Sequence, residues 1–206
     1  KESSAASDVY KRQPHAWYVL MEISSGRSAE DARETMEHIL EAAFEDGTVE
    51  DAAIAQSLSD AADFWRMREE MSWAQKPEGG SIKHDVSVPV ALVPQFLAEA
   101  GAAVEAAMPG ARIVSFGHMG DGNIHYNISQ PVGADREAFL ARWGEMNTIV
   151  HGIVADLGGS FSAEHGIGQL KRAELARTKA GLEMGLMHGI KQVFDPKGIM
   201  NPGKLL

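Results

Sequence analysis

The chain is predicted to be an α+β protein, a ferredoxin-like antiparallel sheet flanked by helices, on three observations. Segments of strand length interleave with segments of helical periodicity, the order expected when helices pack on a sheet. An Asp-Gly pair joins two runs of alternating apolar residues, and such a pair marks an antiparallel hairpin because both central turn positions need positive φ. No linker, repeat or low-complexity segment interrupts the 206 residues, so the whole chain reads as one domain, 1–206.

Taken in order, residues 16–23 (AWYVLMEI) form an apolar run of strand length. Ser28 caps a helix, with Asp31 three residues on, and Met36, Ile39, Leu40, Ala43 and Phe44 recur at helical spacing until Gly47 ends it. A strand near 48–55 and a helix over 57–73 follow. Residues 80–88 alternate as a strand, and Pro94 suits the first turn of a helix running to Pro109-Gly110. ARIVSFGHM and NIHYNIS are strands separated by Gly120-Asp121-Gly122. Phe139, Trp143, Met146, Val150, Ile153 and Leu157 make one helical stripe, stopped by Gly158-Gly159. The chain closes with a strand-like SFSAEH, a helix over 169–193 and the tail DPKGIMNPGKLL.

Composition narrows the function classes. Hydrophobic residues at 44% and charged residues at 23% are too apolar for disorder. Nineteen Lys+Arg against 29 Asp+Glu give a net charge of −10, which excludes a global footprint for nucleic acid or anionic membrane. With no cysteine there are no disulfides, thiolate nucleophiles or Cys-type zinc sites. No apolar run reads as a membrane span. The polar opening KESSAASD carries no signal-peptide pattern and suggests a trimmed fragment, with a cytoplasmic location expected. Eleven carboxylates and one basic residue, Arg33, between Glu30 and Asp63 read as a solvated helix face.

The chemistry concentrates in two strings. In His118-Met-Gly-Asp-Gly-Asn-Ile-His125, a turn centred on Asp121-Gly122 sets His118 opposite His125, with Cβ atoms about 5 Å apart, close enough to share one ion. Asn127 falls on the same face, while Ile124, Tyr126 and Ile128 fall on the other. In Glu164-His165-Gly-Ile-Gly168, Glu164 would complete a set of two histidines and a carboxylate with an open position, as in catalytic metal centres. Strand alternation would send Glu164 and His165 to opposite faces, so a shared site requires a bend there. On the 57–73 helix, Arg68 shares a stripe with Ala61, Phe64, Trp65 and Ser72, which calls for an anionic partner: a buried ion pair or a bound carboxylate. Lys83 alternates with Asp85 and Ser87 on the polar side of its strand. His15, His38, His84, His151 and His188 have no partner at ligand spacing, and the methionines sit at core spacings. There is no P-loop, G-x-S-x-G elbow or dinucleotide fingerprint.

The strings FGHMGDGNIHYNI, FSAEHGIG and FDPKGIMNPGKLL, together with FWRMREEM and GGSIKHDVSVPV, resemble the C-terminal domain of FAD-linked oxidases of the vanillyl-alcohol oxidase type. Within that group they are similar to the branch with D-2-hydroxyglutarate dehydrogenase, D-lactate dehydrogenase and the glycolate oxidase flavin subunit. The resemblance runs from about residue 17 to residue 206. It implies a substrate- and metal-binding cap plus C-terminal domain, with the N-terminal FAD-binding domain outside this chain and the fragment inactive and colourless alone. It also implies that His118, His125 and Glu164 hold zinc or manganese. By the same resemblance Arg68, Ser72, Lys83, Asn127 and His165 hold a 2-hydroxy acid, His165 is the base for its hydroxyl proton, and Asn201 lies near the flavin.

The function so implied is oxidation of a D-2-hydroxy acid to the 2-oxo acid with hydride transfer to FAD. D-2-Hydroxyglutarate, D-malate, D-lactate and glycolate are all candidate substrates, and a dicarboxylic acid suits two cations best. The expected partners are the acid, the FAD-binding domain and an unidentified electron acceptor, with a homodimer allowed. A metal-dependent hydrolase using the same two histidines and Glu164, or a ferredoxin-like ligand-binding module without turnover, are the competing readings.

Overall fold

The computed structural model describes residues 15–179 and 181–206; the KESSAASD opening and residue 180 lie outside the described residues. The chain divides into two compact units, one ending at Ala74 and one spanning Gln75–Leu206.

The first unit is helical. Helix α1, Ala29–Glu45, starts where Ser28 accepts a hydrogen bond from the Asp31 amide, and Gly47 follows it at φ +76°. Helix α2 is Leu58–Ala74. The strands expected at 16–23 and 48–55 do not form. Trp17, Tyr18 and Val19 are exposed, and an extended run without ladder partners gains nothing from its apolar side chains. Residues 50–55 (EDAAIA) have Ile54 as their one β-branched residue and no aromatic, too little to hold a strand. Helix α2 buries only Phe64, so Arg68 is exposed and not the core-facing arginine its stripe suggested.

The second unit has an antiparallel sheet of three strands among the described residues, in the order β1 (Ser81–Ser87), β3 (Asn123–Ser129), β2 (Arg112–His118). One face packs on α3 (Val93–Ala107), α4 (Arg136–Ala141) and α5 (Trp143–Asp156). Ile82, Val86, Ile124, Tyr126 and Ile128 meet Phe96, Ala100, Val104, Met146, Val150 and Val154 in a fully buried core. Val90–Ala107 reaches 18 residues at a mean hydropathy of 1.3, longer than the sequence reading allowed, but its Phe96, Ala100 and Val104 belong to this core. The α+β architecture is as predicted.

Two expected helices are each divided. The 139–157 stripe breaks at Arg142, which ends α4 and precedes α5 while its guanidinium holds Glu145 and the Ala107 carbonyl. The 169–193 segment splits into α6 (Arg172–Thr178) and α7 (Gly181–Phe194). Thr178 bonds back to the Glu174 carbonyl and Lys179 is extended, which ends the first piece. SFSAEH contributes only a Ser87–Ser160 bridge before becoming a loop.

Candidate metal and substrate site

Alternation along the sheet sorts the side chains by chemistry. Opposite the core face, Lys83, Asp85 and Ser87 of β1 pair with Asn127, His125 and Asn123 of β3, which pair in turn with Val114, Phe116 and His118 of β2. The hairpin register differs from the expected one. His118 pairs with Asn123 across a four-residue loop, Met119–Gly122, and His125 pairs with Phe116. The Asp121 carboxylate accepts from the Asn123 amide, a local turn that displaces the two-residue one. The displacement is two residues, so side-chain faces are preserved. His118 and His125 are diagonal neighbours on one surface instead of directly opposed.

Glu164 comes to them from the 160–166 loop. One carboxylate oxygen lies 3.3 Å from His118 Nδ1 and the other 3.6 Å from His125 Nε2. His165 stacks on His125 at a ring separation of 5.7 Å. The bend that a shared site required is therefore present. Phe116 also packs against His125, with ring centroids 5.2 Å apart. Burial holds the His125 imidazole below its usual range, against the pull of Glu164 and Asp85, which favours the neutral ligand form.

The donor chemistry fits a divalent ion. Two donors of one tetrahedral ion with bonds of about 2.0–2.1 Å stand about 3.3 Å apart; Glu164 offers a separate oxygen to each histidine, at 3.3 Å from His118 and 3.6 Å from His125. Beside them Asn123 is buried, and neither atom of its side-chain amide has a hydrogen bond among the described residues. A second donor set overlaps the first: Asp85, His125 and His165 each bring one atom within 4.8 Å of the others. Asp85, however, is already engaged by two backbone amides, whereas the Glu164 carboxylate reaches both histidines.

The remaining candidates divide between the two units. Lys83 is exposed on the polar face next to Asn127. Asn127 is buried and donates to Gln75 Oε1 at 3.1 Å. Arg68 and Ser72 lie on α2 of the first unit, both exposed. Asn201 is exposed at φ +46°, just past a tail turn in which the Asp195 carboxylate collects Lys191 Nζ and the amides of Ile199 and Met200.

Three residues escaped the sequence reading. Asp85 gathers the amides of Glu164 and His165; its alternation with Lys83 was the only signal. Lys171 donates to the Phe161 carbonyl and Ser162 Oγ, both at 3.1 Å, in the same loop. Asn123 sits two residues before His125, and that period-2 spacing could have found it.

The sequence matches the family described as FAD linked oxidases, C-terminal domain, over residues 2–205. It is 39% identical over 191 residues to D-2-hydroxyglutarate dehydrogenase of Xanthomonas citri pv. viticola, covering 93% of this chain and 40% of that protein. It is likewise 39% identical over 196 residues to the protein of that name from Stutzerimonas stutzeri, with 92% and 40% covered. The mitochondrial D-2-hydroxyglutarate dehydrogenase of Rattus norvegicus is 33% identical over 196 residues, with 94% and 35% covered. The chain thus spans about two fifths of the first two relatives' length. The chain belongs to the FAD-linked oxidase C-terminal family.

Proposed function

We propose, on the premise of that family, that this chain is the substrate- and metal-binding part of an FAD-linked D-2-hydroxy acid dehydrogenase, acting on a dicarboxylic acid such as D-2-hydroxyglutarate. The observation that carries the reading is Glu164 standing within 3.3 and 3.6 Å of His118 and His125, with His165 stacked alongside. Relatives named D-2-hydroxyglutarate dehydrogenase support the substrate class. Membership of a flavin-linked family leaves the hydrolase reading without support.

His118, His125 and Glu164 would hold a divalent ion, zinc or manganese, through two imidazole nitrogens and a carboxylate. Such an ion would supply Lewis-acid polarisation of the substrate hydroxyl, and a flavin, with Asn201 near it, would take the hydride from the α-carbon. His165, exposed beside His125, takes the hydroxyl proton on a ring nitrogen as the 2-oxo acid forms. Lys83, a cation on the same face, pairs with a carboxylate of the substrate. Asn127, held by Gln75, orients the acid by hydrogen bonds. Arg68 and Ser72 are proposed as further carboxylate contacts on sequence grounds. The flavin-binding part of the protein, the electron acceptor and a homodimer complete the reading.

Elemental analysis of the purified chain after soaking with zinc or manganese and desalting tests it. About one ion per chain, lost in the His118→Ala, His125→Ala double variant, is expected. No bound metal in the parent chain would remove the reading.

A further inference from the structure

We propose that Asp85 is the positioning residue of this site, a buried strand carboxylate that turns the chain at Glu164-His165 and brings both side chains to the polar face. The inference rests on the proposed function for what Glu164 and His165 do.

Asp85 is 4% exposed, at the edge strand β1, with its side chain on the polar face. Its Oδ2 accepts from the Glu164 amide at 3.0 Å and the His165 amide at 2.8 Å, while its own carbonyl accepts from Ala163 at 3.2 Å. In an extended strand, successive amides point to opposite sides. Here two successive amides converge on one carboxylate, so alternation is broken at that step and both side chains can reach the same face. The Ser87–Ser160 bridge seats the loop's entry, and Lys171 ties the Phe161 carbonyl and Ser162 hydroxyl from behind.

The same Oδ2 lies 3.5 Å from His165 Nδ1. Burial pushes the Asp85 carboxyl up, but the two amide hydrogen bonds and the charges of His165 and Lys171 outweigh it and hold the group below the ordinary carboxylate range.

The test is amide hydrogen exchange by nitrogen-15 NMR on the metal-free chain, comparing the parent with Asp85→Ala and Asp85→Asn. In the parent, the Glu164 and His165 amides exchange slowly with solvent. Asp85→Ala should speed exchange at those two amides about tenfold or more, with Ile82 and Ile128 in the core unchanged. Asp85→Asn keeps an acceptor oxygen of the same reach, so it should retain most of that protection. That rescue separates a specific anchor from a general loosening of the loop. Unchanged exchange in the alanine variant, or no rescue by asparagine, would overturn the proposal. Should the alanine variant lose core protection, the asparagine variant alone decides. Because no metal or flavin enters this experiment, metal that fails to bind a chain with the expected NMR behaviour refutes the proposed function and leaves Asp85's role standing.

Discussion

His84 and Asp85 are neighbours in sequence and face opposite sides of the sheet, one toward the core and one toward the site. His84 donates through Nδ1 to the Tyr126 carbonyl at 2.9 Å and packs edge-on against His151, whose Nδ1 lies 3.2 Å from Glu174. Burial lowers its pKa from 6.5 to about 4, and it moves His151 in the same direction. On acidification the unfolded chain takes up the His84 proton first, so folding stability is intact above about pH 6.5 and declines as pH falls toward 4. Urea denaturation over that window should show a loss on the order of 3 kcal/mol from this group. A His84→Gln variant, which can still donate to Tyr126, should show a visibly flatter slope. A pH-independent midpoint in the parent would contradict the assignment. The sequence offered no sign of this pair, because His84 and His151 meet only through the packing of α5 on the sheet.

Turns decide register at the scale of elements. Gly122 sits at φ +72°, and a Cβ there would overlap the Val88 carbonyl oxygen, which lies beside the β2–β3 loop. Gly120, two residues earlier in the same loop, has no atom within 4 Å of a Cβ and no positive φ. Gly122→Ala should therefore cost more than about 2 kcal/mol, while Gly120→Ala should stay within about 0.5 kcal/mol. Paired thermal melts read the contrast, and equal losses would refute it. This hairpin also marks how far sequence reasoning carried. Asp-Gly located the reversal and the period of two put His118, His125 and Asn127 on one face. The exact pairing depended on Asp121 bonding the Asn123 amide, a side-chain choice that competes with the two-residue turn. Apolar content alone misread residues 16–23, since a strand is defined by its neighbours. The 58–74 helix was legible from periodicity, but which side it buries was not, and Arg68 came out exposed.

For the molecule as a whole, the proposed ligand set joins a hairpin to a later loop: β2 and β3 carry His118 and His125, and the loop after α5 carries Glu164. An ion bound there joins segments that unfolding would separate, so metal must stabilise the fold. At a free concentration about 100 times the dissociation constant the gain is about 2.7 kcal/mol, or roughly 5–10 °C in melting temperature for a chain of this size. Calorimetry with zinc or manganese should show this rise in the parent and none in the double histidine variant. The motif strings made the meeting of His118, His125 and Glu164 legible. Asp85 was not, because its amide partners lie 79 and 80 residues further on.

The sheet carries cohesion on one face, through alternate positions of β1 and β3, and the proposed chemistry on the other. Ile82, Val86, Ile124 and Ile128 cannot change without disturbing the helices, whereas Lys83, Val114 and Phe116 can be exchanged with the interior untouched. Such a sheet lets a lineage revise what it recognises one letter in two, keeping the intervening letters as its memory of the fold.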